Sequence, residues 1–295
     1  MASRRIFLCR NLEYVAKLIR WQRFFYLQNF YGKEAKSLHM ELKLTFNEDA
    51  ANYDRWRPTY VPELFCKIVR CSGLDETKKA LEIGIGTGQA TPPILGTGCH
   101  VTAVEIGGNL ASYTRNKFRE SQNLEIKNIA FEDFVSEDDS FDLVYSATAF
   151  HWIPPEIGYP KVFRLLKSGG TLALFWNHPF AARKDEPLHA AIQKIYDKYR
   201  PSSRKPVEYG KNGCQEKLDA IKKWGFPDVT LDLYHQTRTF DAESYVSLLN
   251  TYSDHRAMPK KQKVPFESEI RETINRFGGK FTIYDTMDLY LAKKP

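Results

Sequence analysis

Between about residues 79 and 177, short apolar runs alternate with segments of helical hydrophobic spacing, the pattern of buried strands separated by amphipathic helices. Strands are predicted over 79–84, 100–105, 124–129, 141–146 and 171–176. Helices are predicted over Gly88–Leu95, Asn109–Glu120 and Pro154–Leu166, and Lys167-Ser168-Gly169-Gly170 marks a helix stop and a turn. This order implies a parallel sheet covered by helices on both faces. Beyond Asn177 the pattern predicts helices at Asp185–Tyr199, Glu216–Trp224, Ala242–Thr251 and Phe266–Phe277, and strands at Val229–Tyr234 and Phe281–Leu291. A loop rich in Pro, Ser, Lys and Gly fills Pro201–Gly213, and no internal repeat is present.

The first strand runs straight into Gly84-Ile85-Gly86-Thr87-Gly88-Gln89. Glycines in such a bend supply positive φ and let backbone approach a ligand, and the helix that follows turns its free N–H groups toward the loop. A dinucleotide fingerprint needs glycine at the sixth position, where this chain has Gln89, so an NAD(P)-binding oxidoreductase is disfavoured. The second strand ends on Glu105, a carboxylate placed to accept hydrogen bonds from ribose hydroxyls.

Acid-x-Gly-x-Gly-x-Gly after a strand, with Glu82, Gly84, Gly86 and Gly88 in register, resembles the first motif of class I S-adenosylmethionine-dependent methyltransferases. The wording of Ser146–Trp152 and the Tyr-x-x-x-Arg-Pro-x-Tyr pattern of Tyr53–Tyr60 resemble a small-molecule branch, the type 11 methyltransferases. The resemblance implies a doubly wound, Rossmann-like α/β fold with a seven-stranded, mostly parallel sheet, an antiparallel last strand and a helical insertion, about 178–228, forming part of a lid. It also implies S-adenosylmethionine as cofactor, a small-molecule acceptor and a monomer or weak dimer.

Under that resemblance Glu82, Gly84, Gly86, Gly88, Glu105 and Ser146 line the cofactor site. Related enzymes place an acid against the adenine amine where this chain has Ala130, so Phe131 is expected to pack on the ring and Glu132 to substitute, with capping of a loop helix as the alternative for Glu132. His151 is the candidate general base, its alternative being a ring that shapes the pocket beside Trp152. Tyr53 is expected near the methyl donor. Arg57 either pairs with a carboxylate or is a helix-end cation before Pro58. Trp152, Asn177 and Tyr252 are expected to face the acceptor. The loop at Ser146–Trp152 lacks the Asn/Asp-Pro-Pro-aromatic signature of base-modifying enzymes and the paired glutamates of protein-arginine enzymes.

Composition narrows this only slightly: 295 residues, 42% apolar and 27% charged, are ordinary for a soluble chain. Residues 1–36 hold eight basic and two acidic residues, which accounts for six of the formal net charge of +7. The remaining body is close to neutral, which argues against nucleic acid as a partner. The segment 1–39 reads as a mitochondrial presequence, as a membrane-surface helix with Leu12, Val15, Ala16 and Ile19 on one stripe, or as an extension preceding a natural start at Met40. A noncatalytic binding module recruited through this segment is the rival of a different class. No apolar run reaches the roughly 18 residues of a membrane span. Cys9, Cys66, Cys71, Cys99 and Cys214 show no metal-ligand spacing and imply neither zinc nor a disulfide framework, and a reducing cytoplasm is the expected compartment.

Overall fold

The computed structural model describes residues 49–202 and 205–295. The basic segment 1–39 and the readings placed on it lie outside the described residues. The chain builds one seven-stranded sheet from β1 (Lys79–Ile83), β2 (His100–Val104), β3 (Leu124–Lys127), β4 (Phe141–Ala147), β5 (Leu166–Phe180), β6 (Val229–Phe240) and β7 (Phe281–Lys293), in the order β3-β2-β1-β4-β5-β7-β6. Neighbours from β3 to β5 are parallel, whereas β7 runs antiparallel to both β5 and β6. The doubly wound architecture with a reversed last strand is thus as the sequence implies.

Period-2 alternation sends successive side chains to two separate cores. Leu81, Val144, Leu172, Leu174 and Tyr290 join one apolar cluster, while Ala80, Leu143, Tyr145, Ala173, Phe175 and Leu289 join the cluster on the other face. A third cluster joins helices to the ends of β6 and β7: Ile192 and Ile195 share it with Tyr245, Leu248, Phe266 and Ile270, and with Phe240, Phe281 and Ile283 of the strands. It unites helices Pro187–Tyr199, Ala242–Leu249 and Lys260–Arg276. The other half of the 178–228 insertion behaves differently, because Ala220, Ile221 and Phe226 belong to a core of the sheet.

Among the described residues two helices precede β1, Ala50–Trp56 and Pro62–Ser72. Asp49 caps the first by accepting the Asn52 N–H at 3.1 Å, and Gly73 ends the second in the left-handed region at φ 62°. The predicted turn at Lys167–Gly170 is instead an irregular start of β5, where pairing jumps from Phe141 with Leu166 to Leu143 with Thr171. Gly169 takes φ 74° and donates its N–H to the Lys294 carbonyl, so the two glycines form a bulge against the end of β7 rather than a free turn. The last helix begins at Lys260, six residues before its predicted start, and accommodates Pro265 early in its length. No helix among the described residues is long and apolar enough to cross a membrane.

Candidate functional site

The crevice lies beyond the C-terminal ends of β1, β2, β4 and β5. Gly84, Gly86 and Gly88 all have positive φ (73°, 57° and 82°), so the bend requires glycine at each. Their surroundings differ. A Cβ on Gly84 would fall 2.5 Å from that of Ala149, and one on Gly88 would strike the Phe118 ring at 2.4 Å. A Cβ on Gly86 would stand 3.8 Å from Tyr53, so Gly86 is the position where the loop surface is bare beneath an aromatic ring. The next helix starts at Thr91, later than the predicted Gly88, and Pro92 and Pro93 remove two of its N–H groups. The loop's own amides are largely engaged within the protein, the Gly84 and Ile85 N–H groups donating to the Val104 carbonyl and the Gly88 N–H to the Ile85 carbonyl, so the bend offers a ligand bare backbone surface more than free donors.

Glu105 turns toward the bend from the neighbouring strand. It is 7% exposed, and its two oxygens accept the Gly86 N–H at 2.9 Å and the Gly107 N–H at 2.8 Å. The side chain of Asn128 at the end of β3 closes the same corner by donating to the Glu105 carbonyl at 2.7 Å.

Comparison with known proteins gives this geometry a family. A family profile described as a methyltransferase domain matches residues 81–174, the stretch from β1 into β5. The chain is 29% identical over 259 residues to a methyltransferase-like protein of Schizosaccharomyces pombe, covering 85% of this chain and 96% of that one. It is 28% identical over 203 residues to a Saccharomyces cerevisiae protein assigned as an S-adenosylmethionine-dependent methyltransferase, covering 65% and 68% of the two chains. The chain is a class I S-adenosylmethionine-dependent methyltransferase. A solved structure of an Anaeromyxobacter dehalogenans protein assigned as a type II methyltransferase shares the fold of this methyltransferase, with a TM-score of 0.57 at 17% identity over 80% of this chain and 97% of that one.

Several residues of the methyltransferase stand where the motif implied but act differently. The Glu82 carboxylate is enclosed in the core, where one oxygen accepts both the Thr91 and the Tyr145 hydroxyls at 2.7 Å. It anchors the helix after the loop to the sheet instead of touching a ligand, because its strand position points it into the core of the opposite face. Ser146 is likewise buried, its hydroxyl donating to the Ile83 carbonyl at 2.8 Å, which ties β4 to the end of β1. Phe131 is only 3% exposed and shares a core with Phe134 and Ile153, under the Lys161 ammonium, so its ring is packing and not an adenine platform. Glu132 sits half-buried on the 3₁₀ turn Phe131–Asp133, and its carbonyl accepts Lys161 Nζ at 2.9 Å.

Burial pushes the Glu82 carboxyl from an ordinary value near 4.5 up to about 7, against the opposing pull of its two hydroxyl partners. A folded-state value raised above the unfolded one means that the folded protein holds this proton more tightly. Stability from this group is full below pH 4.5 and is lost as pH rises toward 7. Glu82→Gln keeps the acceptor and removes the charge. It is expected to match the wild type near pH 5 and to exceed it at pH 8 by roughly 3 kcal/mol, read by urea unfolding at the two pH values.

The segment before β1 folds back over the loop. Arg57 caps the helix Ala50–Trp56 with its N–H on the Tyr53 carbonyl, which is the helix-end role, and its guanidinium lies between the rings of Tyr53 and Tyr252 at 4.8 and 4.5 Å. Its Nη2 donates to the Thr251 carbonyl at 2.8 Å. Asp54 accepts Lys117 Nζ at 2.6 Å and the Tyr113 hydroxyl at 3.0 Å, while Lys117 also reaches the Thr87 carbonyl at 3.0 Å. Neither Asp54 nor Lys117 stood out in the sequence. The i+4 spacing of Tyr113 and Lys117 on one helix face was the available signal.

On the acceptor side, Thr148 follows β4 with φ 54°, a strained conformation for a β-branched residue that costs about 1–3 kcal/mol. Surrounding bonds impose it: its hydroxyl meets the Tyr60 hydroxyl at 2.6 Å and accepts the Asn177 N–H at 3.3 Å, and its own N–H donates to the Phe175 carbonyl. Asn177 is 7% exposed and donates its side-chain amide to Asp285 at 2.9 Å, which leaves Oδ1 without a hydrogen-bond partner. Asp285 in turn takes a bidentate grip from Arg238 on the adjacent strand. The half-buried Trp152 ring tilts against His151 at 4.9 Å between centroids, and His151 Nδ1 accepts the Trp176 indole N–H at 3.2 Å. Thr148, Tyr60, Asp285 and Arg238 were not singled out from sequence, since backbone strain and cross-strand pairing have no one-residue signature.

Proposed function

We propose that this methyltransferase moves the methyl group of S-adenosylmethionine to a small-molecule acceptor by in-line displacement. One observation supports the reading most: the Glu105 carboxylate faces the glycine bend from one strand over, while Tyr53 roofs the bare Gly86 position. The residues fit the cofactor, since a side chain at 86 would close that surface and the buried carboxylate already lies against the loop amides. Glu105 and the bare backbone surface of the Gly84–Gly88 bend would hold it, with Tyr53 beside the reacting end. When bound, the sulfonium supplies a methyl group on a leaving group already activated by its positive charge. What the chain must add is alignment and exclusion of water, effects worth several kcal/mol of barrier.

Asn177 supports an acceptor that carries a hydrogen-bond donor, because a buried amide oxygen without a partner is costly until something bonds to it. Trp152, Tyr252 and His151 would shape the remaining wall, and Arg57 would serve by holding Tyr53 and Tyr252 in place. The helix Pro187–Tyr199, packed with Lys260–Arg276, would form the lid. Calorimetry with S-adenosylmethionine, S-adenosylhomocysteine and NADPH, followed by an acceptor screen for S-adenosylhomocysteine release, tests the proposal. Binding of the first two ligands and not the third is expected. Binding of NADPH alone would overturn it.

A further inference from the structure

His151 has a partner that decides what it can do. An indole N–H only donates, so a ring nitrogen that faces it at 3.2 Å must accept, and the proton of a neutral imidazole then resides on the other nitrogen. We infer that Trp176 is a positioning residue that fixes His151 as the neutral Nε2–H tautomer, which bars the ring from removing a proton through Nε2. The inference rests on the methyltransferase reading of the crevice.

Trp176 is built to hold that orientation. It is 2% exposed, its backbone N–H donates to Asp288 Oδ1 at 3.2 Å, and its ring meets Tyr290 edge-on at 5.9 Å. Lys217 Nζ sits 4.3 Å from the centre of the indole ring. Lys217 is held there by the Asp288 carboxylate at 2.6 Å, which also engages His178 at 3.0 Å, Tyr209 at 2.7 Å and Tyr290 at 2.9 Å. To act as a base through Nε2, the imidazole would need its proton on Nδ1, pointed directly at another donor.

Among the described residues, Asp285 holds Arg238 and Asn177, and the Glu82 oxygen receives two hydroxyls. Burial raises the Tyr60 and Tyr252 phenols, so neither is ionised at neutral pH and neither supplies a phenolate base.

Long-range ¹H–¹⁵N spectra of the full chain read the tautomer directly, and His151→Gln identifies the His151 signals among seven histidines. The wild type is expected to show protonated Nε2 and bare Nδ1 at pH 7. In Trp176→Phe, which keeps an aromatic ring and removes the N–H, both tautomers should appear. A wild-type Nδ1–H tautomer, or a doubly protonated ring at pH 7, overturns the inference. So does a folded Trp176→Phe protein with unchanged tautomer. Should that variant fail to fold, the wild-type spectrum decides alone. Calorimetry with S-adenosylmethionine on the same samples separates the two levels: a fixed Nε2–H tautomer without cofactor binding sinks the functional reading and not the tautomer.

Discussion

In urea unfolding at neutral pH, Asp288→Ala is expected to lose about 3–5 kcal/mol, the cost of removing one partner from a buried ion pair. Asp288 is fully buried and is the shared acceptor for Lys217, His178, Tyr209, Tyr290 and the Trp176 backbone. Alanine leaves an ammonium largely enclosed by aromatic rings and several donors without an acceptor. Total stabilities are only about 5–15 kcal/mol, so this single change should bring a large fraction of molecules near the unfolding midpoint at low urea. The same carboxylate sets part of the acid limit. Burial alone would raise it, but His178 and Lys217 together outweigh that and hold it well below the ordinary range. A depressed folded-state value gives stability that is full above the unfolded value near 3.8 and lost as pH falls below it. Asp288→Ala should accordingly flatten the acid limb of the stability profile, and an unchanged limb would show that other carboxylates govern it.

Glu105→Ala is expected to weaken S-adenosylmethionine binding by roughly 1.5–3 kcal/mol, about ten- to 150-fold in Kd, the range for hydrogen bonds to a charged group. Two effects combine in it. The carboxylate that would receive the ribose hydroxyls disappears, and the Gly86 and Gly107 amides lose the side chain that holds two loops in register. Glu105→Gln should recover little, since its single carbonyl oxygen can replace one of the two acceptors and its NH₂ would face the other backbone N–H. Titration calorimetry on the three proteins gives the comparison. An unchanged affinity in the alanine variant would remove Glu105 from the cofactor site.

The parts of this enzyme legible in sequence are those encoded by neighbours along the chain. The five strands from Lys79 to Asn177 follow from short apolar runs set between helical segments, and the glycine bend with Glu105 one strand over follows from a motif whose geometry is local. Errors occur where a distant partner wins over local preference. Lys167–Gly170 reads as a turn, yet the end of β7 pairs with it. Glu82, Ser146 and Phe131 carry the right residue types at the right spacing, but alternation along β1 and β4 and the packing under Lys161 turn them inward. The Arg238–Asp285–Asn177 and Lys217–Asp288–Trp176 groups join residues 47 to 112 positions apart, so no window of sequence contains them.

Strand order has a further consequence, for the birth of the molecule. β6 touches the sheet solely through β7, which emerges from the ribosome forty residues after it. Until then the earlier strands can assemble against one another while a finished twelve-residue ribbon waits with both flanks unzipped. Such late, long-range closure is slow and leaves an edge open to pairing with a neighbouring nascent chain. Any truncation within the last hairpin would therefore orphan β6, turning a modest loss of length into a propensity to aggregate.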